Sequence, residues 1–371
     1  MHILVLPSWY PTKADPIRGN FFAEQAEALS RCGHRVSVIA LYGDAPSGHY
    51  VEENWRGEAT EYALHFKPLP LHLSFFRILS AMRELFADVF DHDRPDLIHV
   101  HSFNAIRYAR ALKKLYRIPF VVTEHVSWFE RGLLSERDKR AIAADYNAAD
   151  ALIAVSTGLA EQIQPLCRQK VRVVPNLVGE RFFLSPLERR GEGFSFLSVG
   201  SLNRNKGMDA VIAAFAEVHS VCPKTNLVIA GDGEERDALR TQTETLGLAE
   251  SVRFCGQVSR EKCAELYTQC GAFVLASRVE TFGIVLAEAM ASGRPVVMTK
   301  TGAWRQIVSR ETGRAVEIDD IPALSRAMIE VAQDRTRYDP AAIRAYCRDH
   351  FSETAVCRNL TEIYEEVLRN A

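Results

Sequence analysis

The run Ser195-Phe-Leu-Ser-Val-Gly-Ser-Leu-Asn-Arg-Asn-Lys-Gly-Met-Asp209 carries an apolar strand into a polar, glycine-flanked turn and out into a helix. Arg204 and Lys206 sit in that turn. Two cations beside flexible backbone at a helix start are what a diphosphate needs, because point charges, amide donors and the helix dipole act on the same anion. Solvated loop charges are the other reading of the same residues. A second run, Ser277-Arg-Val-Glu-Thr-Phe-Gly-Ile-Val-Leu-Ala-Glu-Ala-Met-Ala-Ser-Gly293, places Glu280 just before a helix and Glu288 within its second turn, with Thr281 as the expected N-cap. A carboxylate among Val, Leu and Ala is costly to bury without a partner, so Glu288 needs either a ligand or an arginine. The amides of Phe282, Gly283 and Ile284 open toward an anion at that helix start. Elsewhere the chemistry is sparser. His125 ends an apolar strand, and His99 and His101 flank Val100 at another. His99 and His101 read as structural, with His101 the one that could line a ligand. No Ser-His-Asp or Cys-His nucleophile set stands out, and Asp91-His-Asp93 and Asp319-Asp320 lie in polar settings and not between apolar strands. No metal or other cofactor is expected.

These residues need a scaffold, and the hydrophobic pattern supplies one. Short β-branched runs alternate with helical periodicity: Ile3–Leu6, helix 19–32, Arg35–Ile39, Leu97–Val100, helix 105–116, Phe120–Thr123, helix 136–149, Ala151–Val155, helix 157–166 and Val171–Val174. Runs without polar alternation belong to parallel strands covered on both faces. Residues 179–193 break the pattern as a linker. Strands then follow at Ser195–Val199, Asn226–Ala230, Ser251–Cys255, Ala272–Leu275 and Pro295–Thr299, with helices at 210–219, 234–246, 260–269, 284–292 and 321–333. The last stretch, from about residue 340, is helical. The expected fold is α/β: two doubly wound Rossmann-like domains, 1–180 and 181–345, with a ligand cleft between them, and C-terminal helices, including 346–371, packing back toward the first.

Composition narrows the class. The 371 residues are 47% hydrophobic and 25% charged, as in ordinary soluble domains. Lys plus Arg number 45 against 47 Asp plus Glu, and residues 1–180 hold 21 of each, so no basic half exists to drive nucleic-acid binding. Eight cysteines without a C-x-x-C pair read as free thiols. The apolar start, too short and lacking a basic flank for a secretory signal, reads as a first strand, and no apolar run reaches membrane-spanning length. The expected place is the cytoplasm, with any membrane contact peripheral, at the inner face.

Taken in order, Trp9-Tyr-Pro11 with Gly19-Asn-Phe-Phe-Ala-Glu-Gln25, Val122-Thr-Glu-His125, Val174-Pro-Asn176, the Gly200–Gly207 loop, Ile229-Ala-Gly-Asp-Gly233, Phe254-Cys-Gly-Gln-Val258 and the Glu280/Glu288 pair resemble the signature regions of glycosyltransferase family 4, retaining transferases of the GT-B fold. The resemblance spans nearly the whole chain and implies that residues 1–180 form the acceptor-binding domain and 181–345 the donor-binding one. It implies that Lys206 binds the diphosphate of a nucleotide-sugar donor. Ser201 stands where the family usually has an arginine, so Arg204 would substitute from the other end of the turn. Glu280 would contact donor-sugar hydroxyls and Glu288 the ribose. Phe282, Gly283 and Ile284 would hold phosphate and sugar through their amides. Gly256 and Val258 match a loop that meets the base, Gly231 and Gly233 the glycine turn before it, and Gly19 and Gly200 complete the donor set. His125 would lie near the transferred sugar. At Thr301-Gly-Ala-Trp-Arg-Gln-Ile-Val308 the chain departs from its relatives, which carry a second glycine and a glutamate there.

The resemblance further implies metal-independent transfer of a hexose from a UDP-sugar, or a GDP-sugar, to a carbohydrate or lipid-linked carbohydrate. A pathway of bacterial surface polysaccharide or glycolipid synthesis fits that habit. In such transfer the donor's own phosphate oxygen takes the acceptor proton, and the protein supplies positioning and charge. The segments 74–86 and 107–117 combine apolar faces with basic residues, suiting either an anionic membrane or the underlying sheet. The rival readings are a GT-B-like sugar-nucleotide epimerase or hydrolase, a nucleotide-sugar-binding protein with impaired catalysis and, a poor third, an NAD dehydrogenase, since Gly231-Asp-Gly-Glu-Glu-Arg236 lacks the third glycine and lies in the second domain.

Overall fold

In a computed structural model of the chain, the described residues are 1–12, 15, 18–70, 73–188 and 193–371, with Arg335 described by its backbone alone. They form two compact units: Met1–Val155 with Leu159–Asn176 and Val356–Ala371, and Ser156–Gly158 with Leu177–Ala355.

The first unit carries β1 (His2–Pro7), β2 (Arg35–Tyr42), β3 (His49–Arg56), β4 (Ala59–Phe66), β5 (Leu97–His101), β6 (Phe120–Glu124), β7 (Ala151–Ala154) and β8 (Arg172–Val173). They lie in the order β3-β4-β2-β1-β5-β6-β7-β8, with every pairing parallel except β3 with β4. Every residue of β1, β5 and β6 is buried, which is why these strands read as unbroken apolar runs. The β3–β4 hairpin lies outside the sequence expectation. Its edge strand, His-Tyr-Val-Glu-Glu-Asn-Trp-Arg, is exposed along most of its length and so needs no apolar face. Chain direction across the sheet reverses between β1 and β5, leaving a crevice at their carboxyl ends.

The second unit carries β9 (Phe194–Val199), β10 (Thr225–Ala230), β11 (Val252–Phe254), β12 (Ala272–Leu275), β13 (Val296–Thr299) and β14 (Gly313–Val316), all parallel, in the order β11-β10-β9-β12-β13-β14. Here the reversal falls between β9 and β12. The loops that follow these two strands therefore part at their carboxyl ends and open a crevice.

The expected linker contains a short helix, Glu180–Phe183, whose two phenylalanines are buried, while residues 189–192 lie outside the described residues. The helix Pro340–Phe351 belongs to the second unit, where Arg344 Nε donates to Ala291 O at 2.8 Å. The next helix, Glu353–Asn370, contributes residues 356 onward to the first unit: Tyr364 OH meets His99 Nδ1 at 2.7 Å and Thr361 Oγ1 meets His34 Nε2 at 2.8 Å. All eight cysteines are free thiols. Among the described residues no helix is long and apolar enough to cross a membrane.

Candidate functional site

In the second unit the two sequence runs meet across the strand reversal. Residues Arg204–Lys206 form one tight helical turn, started by Asn203, whose side chain accepts from Asn205 N at 3.1 Å. Lys206 Nζ reaches Glu280 Oε2 at 2.5 Å, with the lysine side chain 26% and the glutamate 12% exposed. Arg278 holds the two loops in register. Its guanidinium grips Asp209 with two bonds of 2.9 and 2.8 Å, donates to Arg204 O at 2.8 Å and reaches Asp319 at 2.8 Å, while its own amide donates to Asn205 O at 2.7 Å. The hydrogen bonds from Arg278 hold the Asp209 carboxyl below its ordinary value. Neither Arg278 nor Asp209 had been singled out from sequence, although both lie inside the two quoted runs.

The glycine positions line the adjoining strand ends. Gly200 N donates to Ala230 O at 3.0 Å, Leu202 N to Asp232 O at 2.9 Å and Gly231 N to Gly256 O at 2.8 Å. Gly200, exposed Ser201, Gly231, Gly233 and Gly256 thus form one stitched ridge over β9, β10 and β11, with half-buried Val258 two residues further on. Arg204 is exposed beside it.

The helix after Glu280 runs Ile284–Ala291, and its cap is Gly283 in the left-handed region; the Thr281 cap expected from sequence is therefore corrected. A threonine cap needs an extended backbone one residue before the helix, and the chain instead turns sharply at Gly283. Leu286 N donates to Gly283 O at 2.9 Å, while the amides of Ile284 and Val285, the first two of the helix, have no carbonyl within it to bond and open toward an anion. Phe282 sends its ring into the core, edge-on to Phe351 at 5.6 Å. Glu288 is 1% exposed and meets the arginine alternative: Oε1 accepts from Arg260 Nη1 at 2.6 Å and Oε2 lies 3.2 Å from Tyr267 OH. Burial, reinforced by Glu288, pushes the Tyr267 hydroxyl far above its ordinary range. In the departing loop, Gln306 follows Trp304 and accepts from Thr157 N at 2.9 Å, and the Trp304 ring lies 5.5 Å from Lys300 and 5.1 Å from Arg305.

Gly19 and His125 belong to the first unit, where a chain of aromatic rings, several of them buried, packs near the carboxyl ends of β1, β5 and β6. Gly19 caps the helix Asn20–Arg31 against the backbone of Trp9 and Tyr10. Trp9 packs on Phe22 at 5.2 Å, Phe21 and Phe22 on His125 at 5.2 and 4.9 Å, and Phe22 on His101 at 4.8 Å. His101 Nδ1 lies 3.0 Å from His125 Nε2, and His99 Nε2 lies 2.7 Å from Thr123 Oγ1. Burial drives His99 and His125 down to about 3 and His101 well below its ordinary value, so all three are neutral near pH 7. Beneath them Glu124, which sequence reasoning passed over inside Val-Thr-Glu-His, accepts from His125 N at 2.8 Å, Val126 N at 3.0 Å, Phe103 N at 3.1 Å and Tyr146 OH at 2.7 Å.

This pair of doubly wound sheets, with cations, helix amides and carboxylates at a strand reversal, is the GT-B architecture of sugar-transferring enzymes. The structure matches sucrose-phosphate synthase of Thermosynechococcus elongatus with TM-score 0.79 at 19% identity over the whole of both chains. It matches the Anabaena HepE protein solved with UDP-glucose with TM-score 0.74 at 19% identity, over 99% of this chain and all of that one. The family described as Glycosyltransferase Family 4 matches residues 19–180, and that described as Glycosyl transferases group 1 matches residues 181–348. An uncharacterised glycosyltransferase of Methanocaldococcus jannaschii is 30% identical over 77% of each chain. Glycogen synthase of Mycobacterium tuberculosis is 29% identical over 94% of this chain and 89% of its own, and phosphatidyl-myo-inositol mannosyltransferase of Mycolicibacterium smegmatis is 28% identical over 92% and 88%. The chain belongs to glycosyltransferase family 4.

Proposed function

We propose that the protein is a retaining hexosyltransferase that takes its sugar from a UDP-sugar and passes it to a carbohydrate or lipid-linked carbohydrate, in surface polysaccharide or glycolipid synthesis. The observation that carries the reading is the Lys206–Glu280 contact across the β9/β12 reversal, one cation and one carboxylate both reachable from solvent. Lys206, with Arg204 and the amides at Phe282–Ile284, takes the charge of the leaving diphosphate, and Glu280 orients the lysine and accepts from donor hydroxyls. The acceptor proton goes to a donor phosphate oxygen, so the chain's part is positioning and electrostatics and no metal is required. Glu288 is the ribose residue in this reading, which requires the ribose hydroxyls to share it with Arg260. His125, as a neutral imidazole able to donate and accept, serves the transferred sugar. UDP is favoured over GDP because solved structures of the HepE protein hold UDP and UDP-glucose.

Thermal-shift binding across UDP, GDP, ADP and NAD tests it. At ligand a hundredfold above Kd, stabilisation is about 2.7 kcal/mol, or roughly 5–10 °C for a unit of this size. UDP should give that shift, Lys206→Ala and Glu280→Gln should lose it, and His125→Gln should keep it while lowering transfer. A shift from NAD alone, or one indifferent to Lys206, overturns the reading; sugar release without an acceptor would instead favour a hydrolase. A peripheral place at the membrane is supported by the helix Leu73–Asp88, which leaves Leu73 and Phe76 exposed, whereas Ile106–Tyr116 turns its apolar face inward and pairs Arg110 and Lys113 with Asp145 and Asp150. Sedimentation with anionic vesicles at low salt, lost in Phe76→Glu, checks it.

A further inference from the structure

We propose that Phe103 and Trp128 form a stacking subsite for a pyranose ring of the acceptor, so that the acceptor presents a sugar to the first unit and not a bare lipid headgroup. The inference rests on the glycosyltransferase reading above and adds to it a substrate class and two residues. Phe103 follows the end of β5 by two residues and Trp128 the end of β6 by four, which puts both at the carboxyl edge of the sheet, Phe103 at the β1/β5 reversal and Trp128 one strand beyond it. Their centroids lie 5.5 Å apart with planes at 68°, and Trp128 is 40% exposed. An edge-to-face neighbour fixes the indole without covering it.

The backbone beneath both rings is fixed as well. Glu124 is fully buried and bonds Phe103 N on one side and His125 N and Val126 N on the other, so a single carboxylate sets the roots of both loops. Ser102, immediately before Phe103, has φ 67° and ψ 151°, a region almost reserved for glycine. It is held there, with no exposed surface, by its amide on Thr123 O at 2.9 Å and by Ser8 Oγ donating to its carbonyl at 2.9 Å. That strained backbone is kept in place by its surroundings, so the start of the loop carrying Phe103 is rigid. A fixed, half-open aromatic face at the same sheet edge as His101 and His125 suits a ring that is apolar across its C–H face and hydroxylated around its rim. A phosphate headgroup would call for cations rather than ring faces.

Saturation-transfer difference NMR on the full chain with UDP present tests this, using methyl α-glucopyranoside, α-mannopyranoside and α-galactopyranoside as probes beside sn-glycerol 3-phosphate and uridine. At least one pyranoside should show strong transfer to its C–H face, about tenfold weaker binding in Trp128→Ala, and recovery in Trp128→Tyr. The UDP thermal shift should be the same in all three proteins, which also reports that each variant is folded. Equal pyranoside signals in wild type and Trp128→Ala, silence from every pyranoside, or transfer to glycerol 3-phosphate or uridine in their place overturns the subsite. A UDP shift with a silent Trp128 would sink this inference alone, whereas a Trp128-dependent pyranoside signal without any nucleotide shift would sink the donor reading alone.

Discussion

Gly207 follows Lys206 and stands where the loop after β9 touches the loop after β12. Its φ is 62°, and a Cβ added to it would drive into the carbonyl oxygen of Ala276, the residue that opens the segment carrying Glu280. Gly247 in the same unit has φ 70° and no atom within 4 Å of such a Cβ. The two alanine substitutions therefore share the left-handed backbone cost, about 1–2 kcal/mol, and differ only in the contact. Gly247→Ala should lower the apparent Tm by about 2–8 °C. Gly207→Ala adds an overlap with backbone that cannot rotate aside as a side chain would, a further cost of about 1–3 kcal/mol, so a total drop near 10 °C is expected. Because relief of the overlap requires the loops to part, Lys206 and Glu280 separate and the UDP shift should vanish in Gly207→Ala while surviving in Gly247→Ala. Calorimetry at one heating rate, with and without UDP, reads both effects. Equal Tm values for the two variants, or a UDP shift retained by Gly207→Ala, would refute the reasoning.

Two further outcomes follow from the same structure. Arg278→Lys keeps the charge but cannot grip Asp209 while also reaching Asp319 and the Arg204 carbonyl; a loss of about 1–2 kcal/mol and roughly tenfold weaker UDP binding by calorimetric titration are expected, since the site is only partly exposed. The buried histidines fix the sign of the acid response: with folded values near 3 for His99 and His125, the unfolded chain takes up protons first, so their contribution is present above about pH 6.5 and is lost as pH falls toward 3. Each fully buried ring should add about 1.4 kcal/mol per pH unit to that loss, and His99→Gln should flatten the fall of the urea midpoint between pH 6.5 and 4.5 by one proton's worth; a slope unchanged in the variant counts against neutral burial.

What could be read from the sequence, and what could not, divides along one physical line. Buried parallel strands such as Val-Ile-Ala and Phe-Val-Val-Thr are specified by their own composition, because both faces meet helices, so the two sheets and most of their helices were legible. The β3–β4 hairpin was not, because an exposed edge strand makes no demand on its residues, and β14, Gly-Arg-Ala-Val, is a half-buried edge strand with no unbroken apolar run. The same line runs through the site. Lys206 and Glu280 announce themselves by charge in a glycine-bounded turn, whereas Arg278 and Glu124 act through partners far away in sequence: Asp209 is 69 residues from Arg278, and Tyr146 is 22 from Glu124. A side chain whose task is to hold two loops together has no local signature, since its meaning lies in the pairing that the fold creates. Glu288 shows the intermediate case: its cost when buried demanded a partner, and the identity of that partner, Arg260, 28 residues earlier, became readable only once the helices Arg260–Gln269 and Ile284–Ala291 were in place.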